Sequence, residues 1–326
     1  MSIFLPVAGV SLSLLYLIGI GTSVGLLSGL VGVGGGFLLT PALMTIGVPA
    51  TVAAASGSCQ MVATSSSGVA AHFRLGNVDL KIGAVLLAGG LAGAAWGVQI
   101  IKVLRGLGEA ALVITFAYIV VLGLLGTYMF LESLRTLRRG TMVHRSARPT
   151  RTKGMLARLP WQVHFPRSGV RHSVLVPLVL SLLVGILATI MGVGGGFVML
   201  PMMVYLLGMP THVAVGTSLF QILFLCAGVT YMQATTNQVV DLPLALALAV
   251  GSTIGAQVGA RLSRHLRGEQ LIILLATVVL LVVVKMTIGI ISTPPNALTP
   301  TESGSPQMVS QPVPASPRIR PSAGHT

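Results

Sequence analysis

The stretch Gly32-Val33-Gly34-Gly35-Gly36-Phe37, with Pro41 four residues on, returns as Gly192-Val193-Gly194-Gly195-Gly196-Phe197 with Pro201. Each copy ends a long apolar run, and the two are 160 residues apart (32 to 192). In hydrocarbon so glycine-rich a backbone persists only where protein buries it or where it lines a watery cavity. The spacing therefore reads as one membrane unit written twice. It also makes the duplicated break the expected place for a substrate.

Composition points the same way. Apolar residues make up 53% of the chain and charged residues only 8%, so its main solvent is hydrocarbon. The net charge of +14 raises nucleic-acid binding, but ten of the twenty Lys and Arg fall between Arg135 and Arg171, between the two hydrophobic halves. A linker of Arg, Ser, Thr and Pro flanked by apolar runs reads as a cytoplasmic loop facing anionic lipid headgroups, not as a folded nucleic-acid surface. Residues 1–20 lack a basic leader and a cleavage site, and read as a retained first helix. Cys59 and Cys226 lie inside apolar segments, so neither a disulfide framework nor a metal site is expected.

Apolar runs of spanning length fall near 7–30, 50–71, 82–101, 110–131, 174–191, 211–232, 242–261 and 270–291. The expected fold is an all-α polytopic membrane protein of two homologous repeats, with eight full crossings. The short runs after the breaks, Phe37 to Ile46 and Phe197 to Leu207, would rise only about 15 Å as helices, half of the hydrocarbon core. They read as half-helices or re-entrant segments. Pro49, Gln60, Asp79, Gly93 and Arg105 align with Pro210, Gln221, Asp241, Gly255 and Arg267. The stripes Gly21/Gly25/Gly29, Gly89/Gly93/Gly97 and Gly251/Gly255/Gly259 suit close helix packing. The domains are then residues 1–131, a basic linker 132–173, a second repeat 174–291 and a Pro/Ser-rich tail 292–326 expected to be disordered.

Two topologies remain open. If the short runs fold back, the repeats are parallel, and Arg264, His265 and Arg267 lie outside against the positive-inside rule. If they cross, the repeats invert and that loop lies inside, although Lys102 and Arg105 then stay outside. The charge pattern leans to inversion.

Gly34, Gly35 and Gly36, with Gly194, Gly195 and Gly196, offer unobstructed amides where a short helix starts, and the positive end of its dipole can receive an anion. A tight packing bend is the competing reading. The pattern is neither a dinucleotide fingerprint nor a phosphate loop. Each following helix turns polar: Ser56, Ser58 and Gln60 in one half, Thr217, Ser218 and Gln221 in the other. A hydroxyl and amide stripe can bind an oxyanion without an intramembrane charge, while Ser and Thr serve equally well as bonds between helices. Asp79, Glu109, Glu132, Asp241 and Glu269 all sit at predicted segment ends, which argues against a buried proton relay. His72 and Arg74 read as interface residues, with gating or proton linkage as the alternative. Lys285, unmatched in the first half, reads as a snorkelling side chain.

With these residues the chain resembles the TauE/SafE family of sulfite exporter-like permeases. Their two repeats each carry Gly-x-Gly-Gly-Gly-Phe-x-x-x-Pro followed by a polar helix. The likeness runs from about Leu14 to Ile290; it fits closely at Gly192 to Pro201 and Gly216-Thr217-Ser218-Leu219, and Ser56-Gly57-Ser58 holds the matching place in the first half. The resemblance implies a multi-pass transporter of the bacterial inner membrane for sulfite, a sulfonate or another small sulfur-containing anion, with no cofactor. The residues themselves imply a carrier with an uncharged site at the junction of the repeats. An anion channel on the same breaks and a scaffold acting through the basic linker compete with it. An enzyme does not fit, because no nucleophile and base are clustered on facing helices, and no catalytic residue is assigned.

Overall fold

The computed structural model describes residues 2–31, 35–139, 162–165, 168, 170–262 and 268–292. Gly32 to Gly34, most of the basic linker, the loop 263–267 and the tail 293–326 lie outside the described residues. The described chain is mostly helical: α1 (Leu14–Val31), α2 (Gly36–Thr45), α3 (Ala50–Arg74), α4 (Leu80–Gly106), α5 (Ala110–Arg139), α6 (Leu175–Met191), α7 (Gly196–Pro201), α8 (Thr211–Met232), α9 (Leu242–Leu262) and α10 (Gly268–Ser292). A π-helical turn, Met202–Leu206, extends α7, and another, Gln233–Asn237, extends α8.

Strands were not expected. β1 (Ser2–Leu5) pairs antiparallel with β2 (Val10–Ser13), and β3 (Gln162–Phe165) with β4 (Val170–Ser173). The expected first helix is thus corrected: residues 7–13 belong to a hairpin and α1 starts at Leu14. Val10-Ser11-Leu12-Ser13 alternates apolar and polar residues with a period of two, the strand pattern.

Among the described residues four stretches are long and apolar enough to cross a membrane, Leu80–Gly106, Ala110–Tyr128, His212–Asn237 and Leu242–Gly259. Leu14–Gly29, Leu175–Met191 and Ala276–Gly289 are apolar but shorter. The long α3 carries Ser and Thr along its length, and it buries much of that polar face inside the protein. Large apolar side chains face outward instead, among them Trp96, Phe116, Leu124, Leu246 and Ile288. Apolar outside with hydroxyls and amides inside is the arrangement a lipid solvent selects.

Helices pack across the two halves of the chain. α1 lies along α9, with Gly21, Gly25 and Gly29 against Leu248, Ser252 and Ala256 in rising order, so the pair runs parallel. α4 lies parallel to α6 through Gly89, Gly93 and Gly97 against Leu178, Leu182 and Ile186. In lipid there is no hydrophobic drive between helices, and close backbone contact over small residues replaces it. α3 and α8 cross antiparallel: Gly68 abuts Leu219, whereas Met61 clusters with Ile222 and Cys226.

Closeness at the stripes is testable. A Cβ at Gly25 would lie 2.3 Å from the Ser252 carbonyl oxygen, whereas one at Gly19 meets nothing within 4 Å. Gly25→Ala is expected to cost about 1–3 kcal/mol through overpacking, and Gly19→Ala to be neutral or slightly stabilising. Thermal unfolding in detergent reads both. Equal melting temperatures would remove the α1/α9 contact from the account.

Candidate functional site

The described end of the first glycine break, Gly35-Gly36, and the second break, Gly192 to Gly196, meet where α2 and α7 begin. α6 ends at Gly192, whose φ of 69° lies in the left-handed region, and Gly194 (66°) and Gly195 (74°) follow before α7. Gly35, at φ 70°, starts α2 in the same manner. A Cβ on Gly192 would stand 2.2 Å from the Ala54 carbonyl oxygen, so glycine there answers both the backbone conformation and the contact with α3. Phe37 and Phe197 stack with centroids 4.6 Å apart at 20°, bringing the starts of α2 and α7 together. Met61 and Cys226 seal the surroundings: a Cβ on Gly194 would lie 2.6 Å from Cys226 Sγ and one on Gly36 2.2 Å from Met61 Sδ. Gly34 lies outside the described residues; Gly35, Gly36, Gly194, Gly195 and Gly196 are buried together here.

The polar stripe divides by partner. Ser58 Oγ donates to the Ala54 carbonyl at 3.1 Å and Ser218 Oγ to that of Val215 at 3.0 Å, so both spend their hydrogens on their own helix. Ser56 and Thr217 reach across the protein instead. The Asp241 backbone N–H donates to Ser56 Oγ at 3.0 Å, and the Asp79 N–H to Thr217 Oγ1 at 3.1 Å. Accepting these bonds leaves each hydroxyl its own hydrogen.

The aspartates complete two equivalent clamps. Asp79 caps α4, its Oδ1 accepting from the N–H of Lys81 and of Ile82 at 3.1 and 3.4 Å. Its Oδ2 accepts from Ser168 N–H at 3.1 Å and Ser168 Oγ at 2.6 Å, in the turn of the second hairpin. Asp241 Oδ1 accepts from Leu244 N–H at 3.1 Å, and its Oδ2 from Val7 and Ala8 N–H at 3.0 and 3.3 Å, in the turn of the first hairpin. Both carboxylates are buried, 2% and 0% exposed, and backbone N–H groups supply the hydrogen bonds that a buried carboxylate requires. Sequence reasoning placed them at segment ends and missed this role. The signal was present: Leu5-Pro6-Val7-Ala8-Gly9 and Phe165-Pro166-Arg167-Ser168-Gly169 match at the same 160-residue spacing as the glycine breaks.

Gln60 and Gln221 are 3% and 2% exposed. Gln60 Nε2 donates to Ser252 Oγ of α9, and Gln221 Nε2 to the Leu86 carbonyl of α4 at 3.4 Å. Both Oε1 atoms are buried without a partner, as is Ser65 Oγ. Thr40 belongs to α2 beside the break, 3.3 Å from where a Cβ on Gly57 would stand. Tyr118 of α5 donates its hydroxyl to the Met191 carbonyl, at the point where α6 ends.

His72 and Arg74 stand apart, in the last turn of α3. His72 packs at Gly216 and Asn77, near the Asp79 clamp, and Arg74 is exposed. At the equivalent end of α8, Asn237 donates to Gln233 Oε1 at 2.6 Å and Arg105 donates to the Asn237 carbonyl at 2.6 Å. Two grooves lie elsewhere, one of about 500 Å³ between α1 and α2 and one of about 250 Å³ that α10 also walls; Ser23, Val24 and Ala42 border both, and Lys285 forms part of the smaller one's wall. None of the expected site residues lines either groove.

A family model described as Sulfite exporter TauE/SafE matches residues 17–286. The chain is similar to the Probable membrane transporter protein YunE of Bacillus subtilis (strain 168), 26% identical over 281 residues, which is 83% of this chain and 96% of that one. It is also similar to the Probable membrane transporter protein YjnA of the same organism, 26% identical over 260 residues, 80% and 94% of the two chains. No solved structure matches it.

The clamps make a prediction that separates structure from binding. Ser56→Ala and Thr217→Val leave a buried backbone N–H without its acceptor and should each cost about 1–3 kcal/mol. Ser58→Ala removes only a bond within its own helix and should cost less. Thermal melts of the purified variants report the order. Unchanged stability for Ser56→Ala and Thr217→Val would show that these hydroxyls do not hold the two halves together.

Proposed function

The chain belongs to the sulfite exporter TauE/SafE family of membrane transporters, and from that premise we propose that it carries a small sulfur-containing oxyanion, sulfite or a sulfonate, across the bacterial inner membrane by alternating access. The observation that carries this reading is the antiparallel crossing of α3 and α8 with equivalent clamps at their starts, Ser56 to Asp241 and Thr217 to Asp79. Matched helices that run in opposite directions belong to two inverted repeats, in each of which the short run after the break completes a fifth passage. One clamp then lies on each side of the central break, toward opposite faces of the membrane. Releasing one while keeping the other opens the central breaks to one side at a time.

The substrate site is assigned to the duplicated break and the stripe beside it: the glycines from Gly34 to Gly36 and Gly194 to Gly196, with Ser56, Ser58, Gln60, Thr217, Ser218 and Gln221. First-turn amides of α2 receive the negative oxygens, and the hydroxyls of Ser56 and Thr217 each retain a hydrogen to donate. The structure supports a carrier over a channel, because Phe37, Phe197, Met61 and Cys226 fill the break with packed side chains. The basic linker from 132 to 173 is assigned to the cytoplasmic face, against anionic lipid headgroups.

Radiolabelled sulfite and sulfonate flux in proteoliposomes tests the reading. Flux should saturate and show counter-flow, which a channel lacks, and it should fall at least tenfold in Gln60→Leu and Gln221→Leu proteins that still insert and melt cooperatively. Full flux in both variants would refute the site. Absence of flux for every sulfur oxyanion tried would refute the substrate class.

A further inference from the structure

The two glutamines specify more than an anion. Their amide orientation follows from their partners. The Leu86 carbonyl can only accept, so Gln221 must turn Nε2 toward it and Oε1 away. Ser252 Oγ lies 3.3 Å from the Ala249 carbonyl and gives its single hydrogen there, so toward Gln60 it accepts, which again sets Nε2 inward and Oε1 away. Two matched residues on two crossing helices thus end in the same state: a carbonyl oxygen, buried, with no donor. A buried acceptor without a donor costs free energy that a bound species can recover.

An amide oxygen repels a fully ionised oxyanion and attracts an O–H. We propose, resting on the oxyanion-carrier reading above, that the transported form carries its own proton: a monoanion with one O–H, such as hydrogen sulfite, in preference to the sulfite dianion or to a sulfonate. Its O–H donates to Gln60 or Gln221 Oε1. Its charged oxygens take the donors that remain, the first-turn amides of α2 beside the break. A sulfonate of the same charge has no hydrogen to give and leaves both carbonyls unpaired. Discrimination of this kind, built on an unpaired polar group left behind by the wrong ligand, is stronger than discrimination by size. It also moves a proton with each anion, without any intramembrane carboxylate.

The test uses the intact protein in proteoliposomes, with radiolabelled sulfite over a pH series spanning the second ionisation of sulfite, and unlabelled methanesulfonate as competitor. The expected result is a KM for total sulfite that rises tenfold per pH unit above that ionisation and stays constant when expressed as hydrogen sulfite. Methanesulfonate at tenfold excess should leave flux unchanged. Gln60→Met and Gln221→Met should weaken the preference for sulfite over methanesulfonate; should neither variant fold, the unaltered protein still decides the question. Saturable sulfite flux whose KM ignores pH or follows the dianion, or equal competition by methanesulfonate, overturns the proton requirement and leaves the carrier standing. No saturable sulfite flux at any pH overturns both.

Discussion

Hydrocarbon cannot satisfy a peptide group, and this protein's backbone breaks among apolar helices at two glycine clusters and at two helix starts. The reciprocal clamps resolve the helix starts. Each joins a hydroxyl from one half, Ser56 or Thr217, to the backbone of an aspartate in the other, Asp241 or Asp79. Each aspartate then gathers the amides of its own helix and of a hairpin turn. The hairpin turns supply that contact. Without them, Asp79 and Asp241 would be buried carboxylates with an unfilled oxygen.

The clamps tie the halves together at points, and the glycine stripes tie them along lines. Because α1 packs on α9 and α4 on α6, neither half is built by itself: the first helix of each half is held by the fourth helix of the other. Such an exchange suits a carrier. Parallel helix pairs with backbone in contact pack as units, and between them lie the crossing of α3 with α8 and the broken segments. There Met61, Ile222, Leu219 and Cys226 make an apolar contact without hydrogen bonds across it, the kind of surface that can slide.

Much of this was legible in the sequence. The mostly helical, apolar character of the chain and the short helices that follow the glycine breaks follow from apolar run lengths and proline positions, because those signals are local. The hairpins were obscured because four-residue strands such as Val10-Ser11-Leu12-Ser13 adjoin a long apolar run that dominates any window of spanning length. The stripe was found but only partly understood. Ser56 and Ser58 sit two residues apart and look alike in sequence, yet one bonds a residue on a distant helix and the other its own turn. Partners 185 residues apart are decided by packing, and no local pattern carries them. The aspartates were read by position alone, although the repeated Pro-x-Ala/Ser-Gly turns marked where their partners lie.

The account stands on the two clamps facing opposite sides of the membrane, and the direct measurement is sidedness. Leu75 and Thr235, both exposed, mark the far ends of α3 and α8. With Cys59 and Cys226 replaced by Ala, Leu75→Cys and Thr235→Cys are labelled with a membrane-impermeant maleimide in right-side-out and in inside-out vesicles. The inverted arrangement requires one site to label only in the first preparation and the other only in the second. Labelling of both in the same preparation would make the repeats parallel and contradict the alternating use of the clamps.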